Sequence, residues 1–192
     1  FLVVYVDDYT MAGPKSNVRE GWARIRKHIQ MGDPEPKGRY LGCHHRQFDG
    51  FVEGSNRLVF EKDSSATVDD PKGSSERFPV RVMEYDMEDF VKNCCTRYTE
   101  LAGGISEVKY KEVATLFIDE AAVDPDDQGG VLKPIASKIL MKNLYAGRMA
   151  RFDLLRPIIA LAQNVSKWTP LDDKKLHRLM CYMKGTGDMR MY

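Results

Sequence analysis

Apolar and polar residues alternate along this chain in several distinct rhythms, and the first is the most unusual. Phe1-Leu2-Val3-Val4-Tyr5-Val6 is an unbroken apolar run of strand-forming residue types. It runs into Asp7-Asp8, resumes as Tyr9-Thr10-Met11-Ala12 and stops at Gly13-Pro14, which predicts a hairpin with both carboxylates at its tip. Val18, Trp22, Ile25 and Ile29 then recur at helical spacing, predicting an amphipathic helix that ends near Gly32-Asp33-Pro34, with Asn17 and Glu20 as a capping box at its start. From Arg39 to Phe48 the chain reads as a strand, Asp49-Gly50 as a turn, and Phe51-Val52 and Leu58-Val59-Phe60 as the returning strands of a small antiparallel sheet.

Between Asp63 and Phe78 the pattern lapses into Ser, Asp, Lys, Gly and Pro, the composition of an exposed loop. Met83, Met87, Phe90, Val91, Cys94, Tyr98 and Leu101 next trace one face of a helix stopped by Gly103-Gly104. After an irregular stretch through Asp124 to Gly130, three helices follow. Ile135, Ile139, Leu140 and Leu144 mark the first, and Leu154, Ile158, Leu161, Ala162 and Val165 the second, with Pro157 in its first turn. Thr169-Pro170-Leu171-Asp172 caps the third, which runs through Leu176, Leu179, Met180 and Met183 to Gly185. The expected fold class is therefore α+β, organised as 1–62 (hairpin, helix, small sheet), 63–80 (exposed loop), 81–134 (helix and irregular linker) and 135–192 (all helical).

Composition narrows the class without naming a partner. At 192 residues, 43% apolar and 30% charged, the chain can bury a sizeable core, which excludes disorder over its whole length. A net charge of +1 gives no global attraction to nucleic acid or to a membrane surface, so any basic patch must arise by local segregation. Cys43, Cys94, Cys95 and Cys181 lack the spacing of a disulfide framework, and a reducing, intracellular setting is the expectation. Phe1 to Val6 is too short to span a bilayer, so no membrane partner is expected, and a first residue other than Met is read as a cut edge, either of a fragment or of a larger polyprotein.

The chemistry concentrates in Asp7 and Asp8, because adjacent carboxylates repel unless solvent, a partner or a cation relieves them. Mg2+, with Mn2+ as the substitute, suits such a pair: it takes oxygen ligands and is held by one or two carboxylates plus substrate phosphates, the arrangement nucleotidyl transfer requires. Asp-Asp is also a common surface dipeptide, and Asp69-Asp70, Asp126-Asp127 and Asp172-Asp173 are read as exposed turns; none of them follows a long apolar strand. Other constellations point to ordinary structural roles. Cys43-His44-His45 alternates across a strand with no second ligand cluster, so a sheet-edge or backbone contact is expected rather than zinc. His177 is read as a solvated helix residue. Lys138, Lys142, Arg148 and Arg151 are either a solvated helix face or a phosphate-contacting surface.

Tyr5-Val6-Asp7-Asp8 on a hairpin resembles the YxDD signature of reverse transcriptases, and Met11-Ala12-Gly13 is similar to the Ty1/copia class of retrotransposons in particular. Three further matches follow in that family's order. Tyr40-Leu41-Gly42 resembles the "FLG" strand of the primer grip, Ala150-Arg151-Phe152-Asp153-Leu154 the "TRPDI" helix start, and Tyr182-Met183-Lys184-Gly185-Thr186 the terminal "YLKGT". The resemblance implies the end of a polymerase palm followed by a thumb-like and a connecting helical region. Asp7 would be the principal magnesium ligand and Asp8 its supporting carboxylate. Tyr5 and Val6 would lie near the primer terminus, with Tyr40, Leu41 and Gly42 positioning the primer strand. It further implies RNA or DNA primer-template and dNTP as partners, a cytoplasmic particle or the nucleus as location, and additional palm, fingers and ribonuclease H regions outside these residues. Phe152 departs from the family's proline, and Asp172-Asp173 stands where the family has "HW", with Trp168 displaced. Because the family's other catalytic aspartate lies upstream of the YxDD strand, the isolated chain is expected not to polymerise. The alternative is a retroelement-derived module that binds nucleic acid or a protein partner without catalysis.

Overall fold

The computed structural model describes residues 1–53, 57–60, 77–105, 107–118 and 129–192. These form an α+β protein with five α-helices and small antiparallel sheets among the described residues, and they separate into two compact units, Phe1–Met83 and Glu84–Tyr192.

In the first unit β1 (Leu2–Tyr5) and β2 (Asp8–Met11) pair antiparallel with Tyr5 opposite Asp8, so the YVDD segment is a two-residue hairpin with Val6 and Asp7 as its turn. The Phe1 and Ala12 backbones exchange two hydrogen bonds of 2.9 Å at the open end. Helix α1 (Lys15–Ile25) starts from Pro14, whose carbonyl accepts the Asn17 and Val18 amides; Pro14, not Asn17, is the cap, and no side chain caps this end. The helix is amphipathic but shallowly docked, with Val18, Trp22 and Ile25 half-buried and no residue fully buried. Gly21 lies under the Met11 thioether, where a Cβ would approach Sδ to 2.7 Å. The helix stops well short of Gly32, and Arg26 closes it by bonding to the Gly32 carbonyl and the Asp33 carboxylate.

Strands β3 (Arg39–Tyr40) and β4 (Cys43–Glu53) pair around a turn at Leu41-Gly42, and β5 (Arg57–Phe60) pairs with the far half of β4. Two expectations are corrected here. Asp49-Gly50 is not a turn: β4 runs through it, with Gly50 buried and opposite Phe60. Tyr40-Leu41-Gly42 is not a continuous strand, because the chain reverses at its last two residues. The turn signal at Asp49-Gly50 loses to the continuous pairing of an eleven-residue strand. Most of the expected 63–80 loop lies outside the described residues, but 77–80 already belong to β6 (Arg77–Asp86). Met83 is accordingly a strand residue, and the helix expected from it begins at Glu88, because β-branched Val80 and Val82 extend the strand.

The second unit is built on helices α2 (Glu88–Gly103), α3 (Lys133–Met149), α4 (Leu155–Gln163) and α5 (Pro170–Gly185), with β7 (Arg190–Met191) pairing to the end of β6. Each helix buries a stripe at three- and four-residue spacing: Val91, Cys94 and Tyr98; Ile135, Ile139 and Leu140; Ile158 and Leu161; Leu176, Leu179, Met180 and Met183. The expected cap of α5 is present, with Thr169 and Asp172 forming a reciprocal capping box.

Asp172-Asp173 is thus no exposed turn. Asp172 is buried in that cap, and Asp173 accepts the amides of Val131 (2.7 Å) and Leu132 (3.1 Å) and the Trp168 indole N–H (2.6 Å), so one carboxylate ties the start of α5 to the start of α3. Gly130 must be glycine for this junction to close, since a Cβ there would lie 2.4 Å from the Thr169 carbonyl oxygen and 2.8 Å from Asp173 Oδ1. Gly130→Ala is expected to lower stability by about 1–3 kcal/mol through overpacking. A urea melt reads this as a lower midpoint, and an unchanged midpoint would show that the junction relaxes freely.

Candidate functional site

Hairpin geometry decides where the two aspartates point. A two-residue loop with positive φ at its first position and not at its second is of the II′ pattern, where glycine is the usual first residue. Here that residue is Val6, at φ 51°. A β-branched side chain in this region is strained by about 1–2 kcal/mol. Leu41 is the other non-glycine residue with positive φ among the described residues, at φ 49°, and with Gly42 at φ 77° it forms the I′-patterned turn between β3 and β4. Both strained turns therefore fall on the two segments that the sequence singled out in the first unit. Strain of this kind concentrates at ligand-contacting sites.

Asp7 and Asp8 are exposed, and no ion pair among the described residues engages either carboxylate. Tyr5 and Val6 are exposed beside them, at 58% and 78%. Both carboxylates open onto a groove of about 790 Å³ in the first unit, walled by Tyr9, Met11, Trp22, Lys37, Arg39 and Tyr40 among others. The structure thus brings Asp7, Asp8 and Tyr40 to one concavity, while Leu41 and Gly42 stand in the turn beyond its lining. The Tyr40 ring packs edge-on to His45 at 6.5 Å and under Lys37 Nζ at 5.7 Å, and its hydroxyl is buried with no hydrogen-bond partner among the described residues.

A divalent cation fits this donor set in one specific way. Among the described residues no group of three His, Cys, Asp or Glu side chains could enclose a metal. Two exposed carboxylates at an open groove would supply a minority of an octahedral shell and leave the remaining positions to water and phosphate oxygen, which is how Mg2+ is held in phosphoryl-transfer sites.

The other candidates resolve into structure. The buried His45 ring contacts the Gly38 carbonyl at 3.2 Å, and desolvation, aided by Lys37, pushes its pKa down; this is the backbone contact expected of the Cys43-His44-His45 stretch. His177 is half-buried and held by partners rather than freely solvated: Nδ1 meets the Tyr98 hydroxyl and Nε2 the Lys109 carbonyl, each at 3.0 Å, with Cys181 Sγ 3.5 Å away. Arg151 leaves the basic helix face altogether, being 2% exposed and bonded to Asp153 and Thr186. Lys142 donates to the Asn93 carbonyl and covers the Phe90 ring. Sequence reasoning missed the cations along the first unit's grooves, although their spacing on α1 was visible.

No family model, curated protein or solved structure matches the chain. The hairpin tip itself is therefore the place to probe. Val6→Gly is expected to relieve the turn and raise stability by up to about 1 kcal/mol, the strain removed less the added flexibility of glycine. A higher thermal midpoint checks this, and a lower one would show that the valine side chain contributes more than its backbone costs.

Proposed function

We propose that this chain is the later part of the palm, with the helical region that follows it, of an RNA-directed DNA polymerase of the copia type. The observation that carries the reading is the hairpin: Tyr-Val-Asp-Asp occupies a two-residue turn with a strained valine at its first position and two unpaired carboxylates on an open groove. Backbone strain clusters at ligand-contacting sites, and a strained Val6 immediately before Asp7 supports this reading. Asp7 would hold Mg2+, or Mn2+ in its place, with Asp8 beside it; the cation supplies Lewis-acid polarisation of a phosphoryl oxygen when bound. Tyr40 on the groove wall would orient the primer strand, and the Leu41-Gly42 turn would hold it there. Substrates are a primer-template and a dNTP.

The test is extension of a DNA primer on an RNA template by the parent polypeptide that carries these residues. Extension that depends on Mg2+ and stops with a chelator supports the reading. Absence of extension with either metal, alongside retained nucleic-acid binding, would replace the enzyme with a non-catalytic module.

A further inference from the structure

The first unit carries a second groove that the aspartate site does not use. It is lined by Lys15, Arg19, Trp22 and Arg26 on and just after α1, and it shares Val18, Trp22, Asp33 and Pro34 with the groove that holds Asp7 and Asp8. The two concavities adjoin at these four residues and together make a track with Asp7 and Asp8 at the hairpin tip, Lys37 and Arg39 on the wall of the aspartate groove, and Lys15 and Arg19 along α1. Spacings of four, three and four residues put Lys15, Arg19, Trp22 and Arg26 on one helical stripe about 16 Å long at 1.5 Å per residue.

Charge is segregated here although the chain as a whole is almost neutral. Lys15 to Arg39 holds seven basic and three acidic residues, against a net charge of +1 for all 192. Arg24 is paired with Glu20 and Arg26 with Asp33, which removes both of those acids from the balance. Lys15, Arg19, Lys37 and Arg39 are exposed, line the track and make no ion pair among the described residues. Trp22 is a half-buried aromatic placed between the cations. Unneutralised cations tracking a groove with an aromatic among them are the elements of a single-strand binding surface: the cations follow phosphates and the aromatic face stacks on a base.

We infer that the two adjoining grooves together bind single-stranded nucleic acid, through Lys15 and Arg19 on the α1 side and Lys37 and Arg39 on the aspartate side, with a base on Trp22, and do so without metal. The inference deepens the proposed function: it shares Trp22, Lys37 and Arg39 with the wall of the aspartate groove, adds Lys15 and Arg19 from α1, and uses neither aspartate. The strand lies along α1 and leads to or from the aspartate tip. Its backbone charge is repelled by Asp7 and Asp8, so binding tightens slightly when Asp7 is neutralised.

The experiment is fluorescence anisotropy of labelled oligo-dT and oligo-rU 12-mers with the full chain in chelator, as salt is varied. Micromolar binding at 50 mM salt is expected, with a log–log salt slope of roughly −2 to −3 for three or four single-strand phosphate contacts. Lys15→Ala/Arg19→Ala should weaken binding about tenfold and flatten the slope by about 1.4, at an unchanged circular-dichroism spectrum. Lys167→Ala/Lys174→Ala, a charge-matched change on exposed lysines of the second unit, should leave the slope unaltered. Quenching of tryptophan emission should vanish in Trp22→Phe. Equal binding of the two oligomers places recognition on phosphate and base stacking, whereas preference for one adds a contact to the sugar 2′-hydroxyl or to the thymine methyl. Absent binding at 50 mM salt, or loss shared equally by both double variants, would overturn the inference. Asp7→Asn separates the two ideas: with the groove intact it abolishes primer extension by the parent protein and leaves oligomer binding in place.

Discussion

Arg151→Ala is expected to destabilise the second unit by about 2–4 kcal/mol, below the full effect of breaking a buried charge pair because Asp153 is 26% exposed and can regain water. The guanidinium is 2% exposed and grips Asp153 with two parallel bonds, Nε to Oδ1 at 3.0 Å and Nη2 to Oδ2 at 2.8 Å. Its remaining donors reach the Thr186 carbonyl and hydroxyl, each at 2.8 Å. Thr186 is the residue that ends α5, its amide bonded to the Tyr182 carbonyl, so the fixed positive charge sits where the helix dipole is negative. Truncation would leave Asp153 without its partner, uncover the end of α5 and open a cavity the length of an arginine. Arg151→Met keeps most of the volume and separates charge from packing: if Met restores more than half of the loss, packing dominates. An unfolding free energy from chemical denaturation within about 0.5 kcal/mol of the parent for Arg151→Ala, an ordinary surface value, would refute the account.

That contact also explains why two distant sequence segments stood out together. Ala150 to Leu154 and Tyr182 to Thr186 are joined by Arg151 and Thr186, so their pairing is a packing requirement of the second unit and says nothing by itself about catalysis. Helices were legible because apolar residues at three- and four-residue spacing really do form the core; the α5 cap was legible because Thr-Pro-x-Asp satisfies the helix end locally. Strand limits were less so. Asp49-Gly50 looks like a turn, yet continuous pairing carries β4 through it, and Leu41, which no turn preference would select, reverses the chain. Local propensity cannot register a partner strand that lies elsewhere in sequence.

The same limit applies to charge. Asp7-Asp8 and Asp172-Asp173 are identical dipeptides, and only the fold separates them: one pair stands exposed at a strained hairpin tip, the other is consumed by amides, an indole and a cap. His177 shows the converse, since its partners come from Tyr98 and Lys109, nearly 70 or more positions away in the chain. The basic stripe on α1 was visible as spacing, but its meaning required knowing that Glu20 and Asp33 are occupied by Arg24 and Arg26.

On the proposed reading, Asp7→Asn in the parent polypeptide is expected to slow primer extension by about 10³-fold. The substitution keeps the size and shape of the side chain and removes one charged metal-binding oxygen. Lewis-acid stabilisation by a bound cation amounts to several kcal/mol, and about 1.4 kcal/mol corresponds to a tenfold change in rate. Asp8→Asn should cost less, about 10–100-fold, because a supporting carboxylate can be replaced in part by water. Neither variant should lower stability: both side chains are exposed and unpaired among the described residues, so removing one of two adjacent negative charges is neutral within about 0.5 kcal/mol or slightly favourable. This combination, a large loss of rate on an unchanged melting curve, distinguishes a metal ligand from a residue that merely shapes the turn. Val6→Gly supplies the contrast, since it alters the turn and leaves both carboxylates; a rate loss there with higher stability would mean that the strained geometry itself aims Asp7. If single-turnover extension is unaffected by Asp7→Asn at saturating Mg2+, the hairpin carries no catalytic metal, and the two aspartates belong to the surface of a binding module.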